Sequence, residues 1–182
     1  MIFKAFPKEL IKDILLVVLL IPFKIINVMY NSDNKYFSFK LKKDNVKIPY
    51  RFSNFQVSKN IISKLSIRHR KILYCMYTRN LDGYIREKHI KKILDENIEE
   101  WQIPFIVKLC DDYLIEILEI IYDKLKDRDN TDIKNFCLNN EKEISKCYAR
   151  MVSYWNEYYR DIDFNNYVGN KIFIECLGYN RK

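Results

Sequence analysis

The sequence predicts a mostly α-helical protein, a helical bundle with a small β-hairpin near its N-terminus, forming a single domain over residues 1–182. Two observations carry this. Glycine (3) and proline (4) are too scarce for a turn-rich β-sandwich, while Ile, Leu, Lys, Tyr and Asn dominate. The apolar residues also alternate with a period of two between residues 36 and 52, then recur at helical spacing from residue 54 onward.

Taken in order, residues 7–30 read as a helix, because Pro7 suits a first turn and the apolar positions run almost all round, as in a buried helix. Pro22 is a point where it kinks or ends. The run "ILLVVLLIPF" (14–23) follows Lys4, Lys8 and Lys12 as the core of a signal peptide follows its charged start. No small-x-small cleavage site comes after it, and it is about half the ~20 residues a bilayer span needs. A core helix is the favoured reading, with peripheral membrane contact through residues 14–30 as the second and a cleaved signal as the third.

Residues 36–52 form the predicted hairpin. "YFSFKL" sets Phe37, Phe39 and Leu41 against Tyr36, Ser38 and Lys40, "KKDN" turns, and "VKIPYRF" returns with Pro49 keeping the second strand at an edge. Ser58 or Asn60 then caps a short helix through Leu65, and Ser66 caps the next, whose Ile67, Lys71/Ile72 and Cys75/Met76 make one stripe. "NLDG" (80–83) closes it as a corner, with Asn and Gly as residues that readily take positive φ. The following helix puts Ile85, His89/Ile90 and Ile93/Leu94 on one face.

The stretch 101–126 reads as one long helix with Pro104 in its first turn. Phe105, Leu109, Tyr113, Ile117, Ile120/Ile121 and Leu125 line its apolar face, and Asp111, Asp112, Glu116, Glu119 and Asp123 a solvated opposite face. "DRDNTD" (127–132) breaks the pattern, Thr131 or Asp132 caps a helix to about Asn140, residues 141–160 form another amphipathic helix, and residues 170–179 close the chain as a short helix or strand.

The net charge of +8 is unevenly spread: residues 1–92 hold 20 Lys/Arg against 6 Asp/Glu, and residues 93–182 hold 12 against 18. A basic half of this kind suits phosphate, through counterion release, or an acidic protein surface or anionic membrane, or is plain solvated surface. The Lys-, Asn- and Ile-rich composition also suggests an AT-rich coding genome, which raises Lys without function. The five cysteines, Cys75, Cys110, Cys137, Cys147 and Cys176, are odd in number and contain no C-x-x-C pair. They read as reduced thiols of an intracellular, cytoplasmic protein.

Motifs exclude more than they assign. Neither G-x-G-x-x-G nor G-x-x-x-x-G-K-[ST] occurs, so no glycine-rich phosphate cradle is present. The run from Asp127 imitates an EF-hand loop, but Asp132 stands where glycine is required and Leu138 where the bidentate Glu belongs. His69 and His89 have no Cys or His partner at zinc-ligand spacing, and no cofactor or metal is predicted. An enzyme would require His89, Arg86 and Asp82 to converge in a concave pocket.

The remaining candidates are basic and aromatic. Arg68, Arg70, Arg86, Lys88, Lys91 and Lys92 form one set, with the last four read as lying off an apolar stripe. Arg150, Tyr154, Trp155, Tyr158, Tyr159 and Arg160 form the other, with aromatics that either anchor a protein interface or stack on bases.

The stretch "TRNLDGYIREKHIKKILDENIEEWQIPFIVKLCDDYLIEILEIIYDKL", within residues 66–126, resembles a HEAT-type helical hairpin, with Asp82, Ile85 and Arg86 at the positions of that pattern's turn and second helix. The longer pattern is similar to that of bacterial proteins of no known activity. The resemblance implies HEAT-like helical hairpins, a binding surface in place of a catalytic cleft, and a packing or turn-bonding role for Arg86. The function expected is that of a non-enzymatic interaction module for a protein partner, with an acidic surface suited to it. The alternative is an RNA- or DNA-binding protein that uses the basic N-terminal half.

Overall fold

A computed structural model of the chain describes residues 2–21, 36–52 and 55–180. It is mostly helical, with nine α-helices and one two-stranded sheet among the described residues. The packing divides into two compact units, Met1–His89 and Ile90–Lys182.

In the first unit, 3-10 turns at Ile2–Ala5 and Lys8–Leu10 lead into α1, Ile11–Val18. The predicted helix over 7–30 is therefore helical to Val18, with a turn to Leu20, and its remainder from residue 22 lies outside the described residues. It is not buried all round. Leu10, Ile14, Val17, Val18 and Ile21 face the core, while Ile11, Leu15, Leu16 and Leu19 are exposed. Asp13 joins α1 to the body through His69, whose Nε2 lies 3.0 Å from its carboxylate, and Arg68 stands 3.9 Å away.

The hairpin has the predicted period. Strand β1, Tyr36–Leu41, pairs antiparallel with β2, Asp44–Pro49, in the register Phe39↔Val46 and Leu41↔Asp44. Phe39, Leu41, Val46 and Ile48 are buried, and Lys42 in the turn takes a positive φ of 51°. Pro49 ends β2, where its missing N–H breaks no ladder bond.

Helix α2, Lys59–Lys64, is short, and α3, Ile67–Tyr77, starts as predicted with Ser66 Oγ accepting from the His69 N–H. Its apolar stripe differs from expectation. Ile67 is 62% exposed, whereas Lys71 through Tyr77 are buried on every side of the helix. Helix α4, Gly83–Leu94, buries Ile85, His89, Ile90, Ile93 and Leu94 as its periodicity predicts.

The corner between α3 and α4 is built by side chains and not by a left-handed glycine. Gly83 is the first residue of α4, and positive φ among the described residues is confined to Lys42 and Gly178. Asn80 Oδ1 accepts from the Asp82 N–H at 2.9 Å, and Asp82 Oδ1 accepts from the Tyr84 N–H at 2.9 Å, two successive Asx turns that start the next helix. Arg86, expected on the surface, is wholly buried: its guanidinium donates to the carbonyls of Asn80 (3.2 Å) and Leu81 (2.9 Å). Arg79, also wholly buried, donates to the carbonyls of Pro49 and Tyr50, and Asn80 to that of Phe55. The corner thus grips the segment that leaves the hairpin. Tyr77 completes the grip by accepting from the Val57 N–H at 2.7 Å, and burial pushes its phenol above the ordinary value.

In the second unit, a 3-10 turn at Glu100–Gln102 with a reciprocal Glu99/Gln102 capping box opens α5, Ile103–Val107, where Pro104 sits in the first turn. The helix predicted over 101–126 stops there and resumes as α6, Ile115–Leu125. Three buried side chains explain the break. Lys108 and Asp111 form an ion pair with side chains only 1% and 2% exposed, and Asp112 Oδ1 accepts from the Leu114 N–H, offering the backbone a turn in place of a helical bond. Asp111 and Asp112 are accordingly interior residues and not part of a solvated face; Glu116 and Glu119 are exposed as expected.

Helices α7, Thr131–Leu138, and α8, Glu141–Tyr158, follow the predicted boundaries closely. The C-terminal segment is α9, Val168–Lys171, continued by a π-helical turn at Ile172–Cys176. Gly169 in α9 has no room for a side chain, since an added Cβ would stand 2.5 Å from Tyr167 Cε1 and 2.9 Å from Met151 Cγ. No described helix is long and apolar enough to cross a membrane.

Candidate interaction surface

The last turns of α8 carry "YWNEYY", and helical spacing puts Tyr154 and Tyr158 in one row and Trp155 and Tyr159 in the next. The first row stays at the surface. Tyr158 is 59% exposed, and its ring stacks on that of Tyr154 at 6.2 Å between centroids. Tyr154 meets Tyr113 edge-on at 6.0 Å, and Tyr113 is itself 39% exposed. On the other side Tyr158 contacts Tyr159 at 6.3 Å, and Tyr159 stacks on the wholly buried Tyr167 at 5.6 Å. Five tyrosines therefore form a continuous series of rings that runs from solvent into the core.

The second row fixes the platform. Trp155 donates its indole N–H to the Ile162 carbonyl at 2.9 Å and packs edge-on against Phe164 at 4.8 Å, which holds the loop after α8. Tyr159 donates to the Tyr113 carbonyl at 2.9 Å, and burial pushes its phenol above the ordinary value. Interface aromatics work best when they are rigid, because little rotamer freedom is then lost on binding.

Arginines flank the series. Arg150, one turn before Tyr154, is 31% exposed with Nε 3.9 Å from Asp111, so it bridges the surface to the buried Lys108–Asp111 pair. Arg160 is exposed and donates to the Asn156 carbonyl. Beneath, the Cys147 thiol is pushed well up by burial and by its contact with Asp111. Burial likewise raises the Cys137 thiol to about 12 and Cys176 to about 11, and all five cysteines are free and buried.

The structure thus brings Arg150, Tyr154, Tyr158, Tyr159 and Arg160 to one region, with Trp155 as its support. It adds Tyr113, Phe164 and Tyr167, which sequence reasoning missed. The signal for Tyr113 was the acidic pair "DD" before it inside an apolar run, which marks the break that turns it outward.

The basic set separates. Arg68 is 60% exposed, Lys88 and Lys91 are exposed, Arg70 and Lys92 are half-buried, and Arg86 is interior. Among the described residues, His89, Arg86 and Asp82 do not converge as an enzyme would need. His89 is buried, with Nδ1 2.7 Å from the Ile85 carbonyl and its ring against Tyr77 at 4.4 Å, while Arg86 and Asp82 are engaged with the corner backbone. A half-open cleft of about 580 Å³ lies elsewhere, among Leu138, Glu141, Ser145, Leu177 and Tyr179, and none of the predicted site residues lines it. Among the described residues no three or more His, Cys, Asp or Glu are grouped to hold a metal ion. No protein-family model, curated protein or solved structure matches this chain.

Proposed function

We propose that the protein is a non-enzymatic interaction module that binds a protein partner through the tyrosine series at the end of α8. The observation that carries this is an exposed, pre-ordered run of Tyr rings between two arginines, the residue types that dominate binding energy at protein interfaces. The HEAT-type resemblance of residues 66–126 supports the same class, since such hairpins serve as binding surfaces. Five free, buried thiols suit a partner met in the reducing cytoplasm. The second reading, RNA or DNA binding, is favoured by 20 Lys/Arg against 6 Asp/Glu in residues 1–92.

The test is a pull-down from host lysate at low and high salt, with and without nuclease, using the wild type and the Tyr158→Ser/Arg160→Glu variant. A protein captured through nuclease and high salt by the wild type and lost by the variant, with unchanged melting, is the outcome expected. Nucleic acid recovered only at low salt, retained by that variant and lost on Lys88→Glu/Lys91→Glu, would replace this reading with the second.

A further inference from the structure

Helix α1 presents two unlike faces. Leu10, Ile14, Val17 and Val18 pack inward, yet the outward face carries Ile11 (45% exposed), Leu15 (50%), Leu16 (54%) and Leu19 (72%). At 100° per residue, Ile11, Leu15 and Leu19 make one row, with Leu16 on the far side of Lys12. Lys8 and Lys12 fall between these aliphatics and are exposed, as is Lys4 just before them. Arg68 adds a fourth exposed cation beside the helix, 3.9 Å from Asp13.

Four large aliphatics set side by side at the surface form the kind of patch that marks an interaction site. Its chemistry selects the partner. Protein interfaces are enriched in aromatic residues and Arg and depleted in Lys, with Leu rarely a binding hot spot, and this face is Leu, Ile and Lys without an aromatic ring. A second copy across a two-fold axis would set Lys8 and Lys12 against their own equivalents, and residues 1–89 already hold 18 Lys/Arg against 6 Asp/Glu. Aliphatics flanked by lysines match a helix lying in the plane of an anionic lipid surface, where the chains enter the acyl boundary and the ammonium groups reach the headgroups.

We propose that α1 docks the protein on anionic membranes, with Ile11, Leu15, Leu16 and Leu19 inserted and Lys8 and Lys12 on the phosphates. The helix lies on the bilayer and does not span it. The surface shares no residue with the tyrosine series and stands whether or not that series binds a protein.

The experiment is co-sedimentation of the full chain with phosphatidylcholine vesicles, with and without about 30% phosphatidylserine. Wild type is expected to sediment with the anionic vesicles and at least ~10-fold less with the neutral ones. Leu15→Ser/Leu16→Ser/Leu19→Ser is expected to weaken binding ~10-fold or more, because these side chains are already exposed and leave the fold intact. Lys8→Glu/Lys12→Glu is expected to do the same at low salt. Wild type that ignores anionic vesicles, or a triple Ser variant that binds as wild type does, overturns the proposal. So does sedimentation velocity showing a dimer that the triple variant abolishes while vesicles have no effect, which would assign the face to a second copy.

Discussion

The Lys108–Asp111 pair allows a prediction with an unusual asymmetry. Both side chains are at most 2% exposed, so removing one partner leaves a charge in the interior, which typically costs ~3–5 kcal/mol. The two removals are not equivalent, because Arg150 Nε stands 3.9 Å from Asp111. Lys108→Met leaves Asp111 still facing this second cation, so its charge is not left uncompensated and the loss is held below that range, to about 2 kcal/mol. Asp111→Ala strands Lys108 beside Arg150, two like charges, and is expected to cost about 4 kcal/mol. The double variant Lys108→Met/Asp111→Leu fills the same space with apolar atoms and returns to within about 1 kcal/mol of wild type. Urea unfolding followed by tryptophan fluorescence reads the cycle cleanly, since Trp101 and Trp155 both lie in the second unit. Equal losses for the two single variants would refute the role given to Arg150. A double variant as unstable as the sum of the singles would refute the ion pair as a coupled element.

Gly169→Ala should lower stability by about 1–3 kcal/mol in the same assay, because crowding against the buried Tyr167 and Met151 outweighs the gain of ~1 kcal/mol in helix propensity; a stabilised variant would show that the site relaxes. At the corner, Asp82→Ala should cost about 1 kcal/mol by circular dichroism melting, whereas Gly83→Ala, at a first helical position without positive φ, should be neutral or stabilising by up to ~1 kcal/mol. A destabilised Gly83→Ala would restore the glycine-based corner. Tyr122, donating to Glu175 at 2.7 Å, has a phenol raised to about 12 chiefly by that bond. A folded value above the ordinary one of 10.0 means that the bond's contribution is present below that pH and is lost as pH rises towards about 12. The difference ultraviolet titration of wild type and Tyr122→Phe checks it, and Glu175→Ala should bring the midpoint back towards the ordinary value.

Periodicity made the hairpin and α4 legible, because Phe39/Leu41, Val46/Ile48 and Ile85/His89/Ile93 each repeat at the spacing of their element. It failed where tertiary contacts override a continuous local pattern. Leu109, Tyr113 and Ile117 keep helical spacing across a segment that is not helical, since the deciding interaction is the burial of Lys108 with Asp111 and an Asx turn at Asp112. Arg86 reads as a surface cation by helical spacing for a similar reason: its interior partners are backbone carbonyls, which spacing does not reveal, and only the HEAT-type resemblance implied a packing or turn-bonding role for it. The exposed face of α1 looks like core by composition alone, because an apolar residue announces that it needs cover without saying whether the cover is protein or lipid. The tyrosine series was half legible. Rows 154/158 and 155/159 follow from helix geometry, but Tyr113 and Tyr167 arrive from distant segments.

The grip at the α3–α4 corner has a further consequence. Arg79 and Arg86 fasten the chain through guanidinium groups that stay protonated at every pH a protein meets, and their carbonyl partners do not titrate at all. Acid therefore finds no proton to add or remove in these guanidinium–carbonyl bonds. As pH falls, amide exchange around Arg79 and Asn80 should be the last in the first unit to quicken.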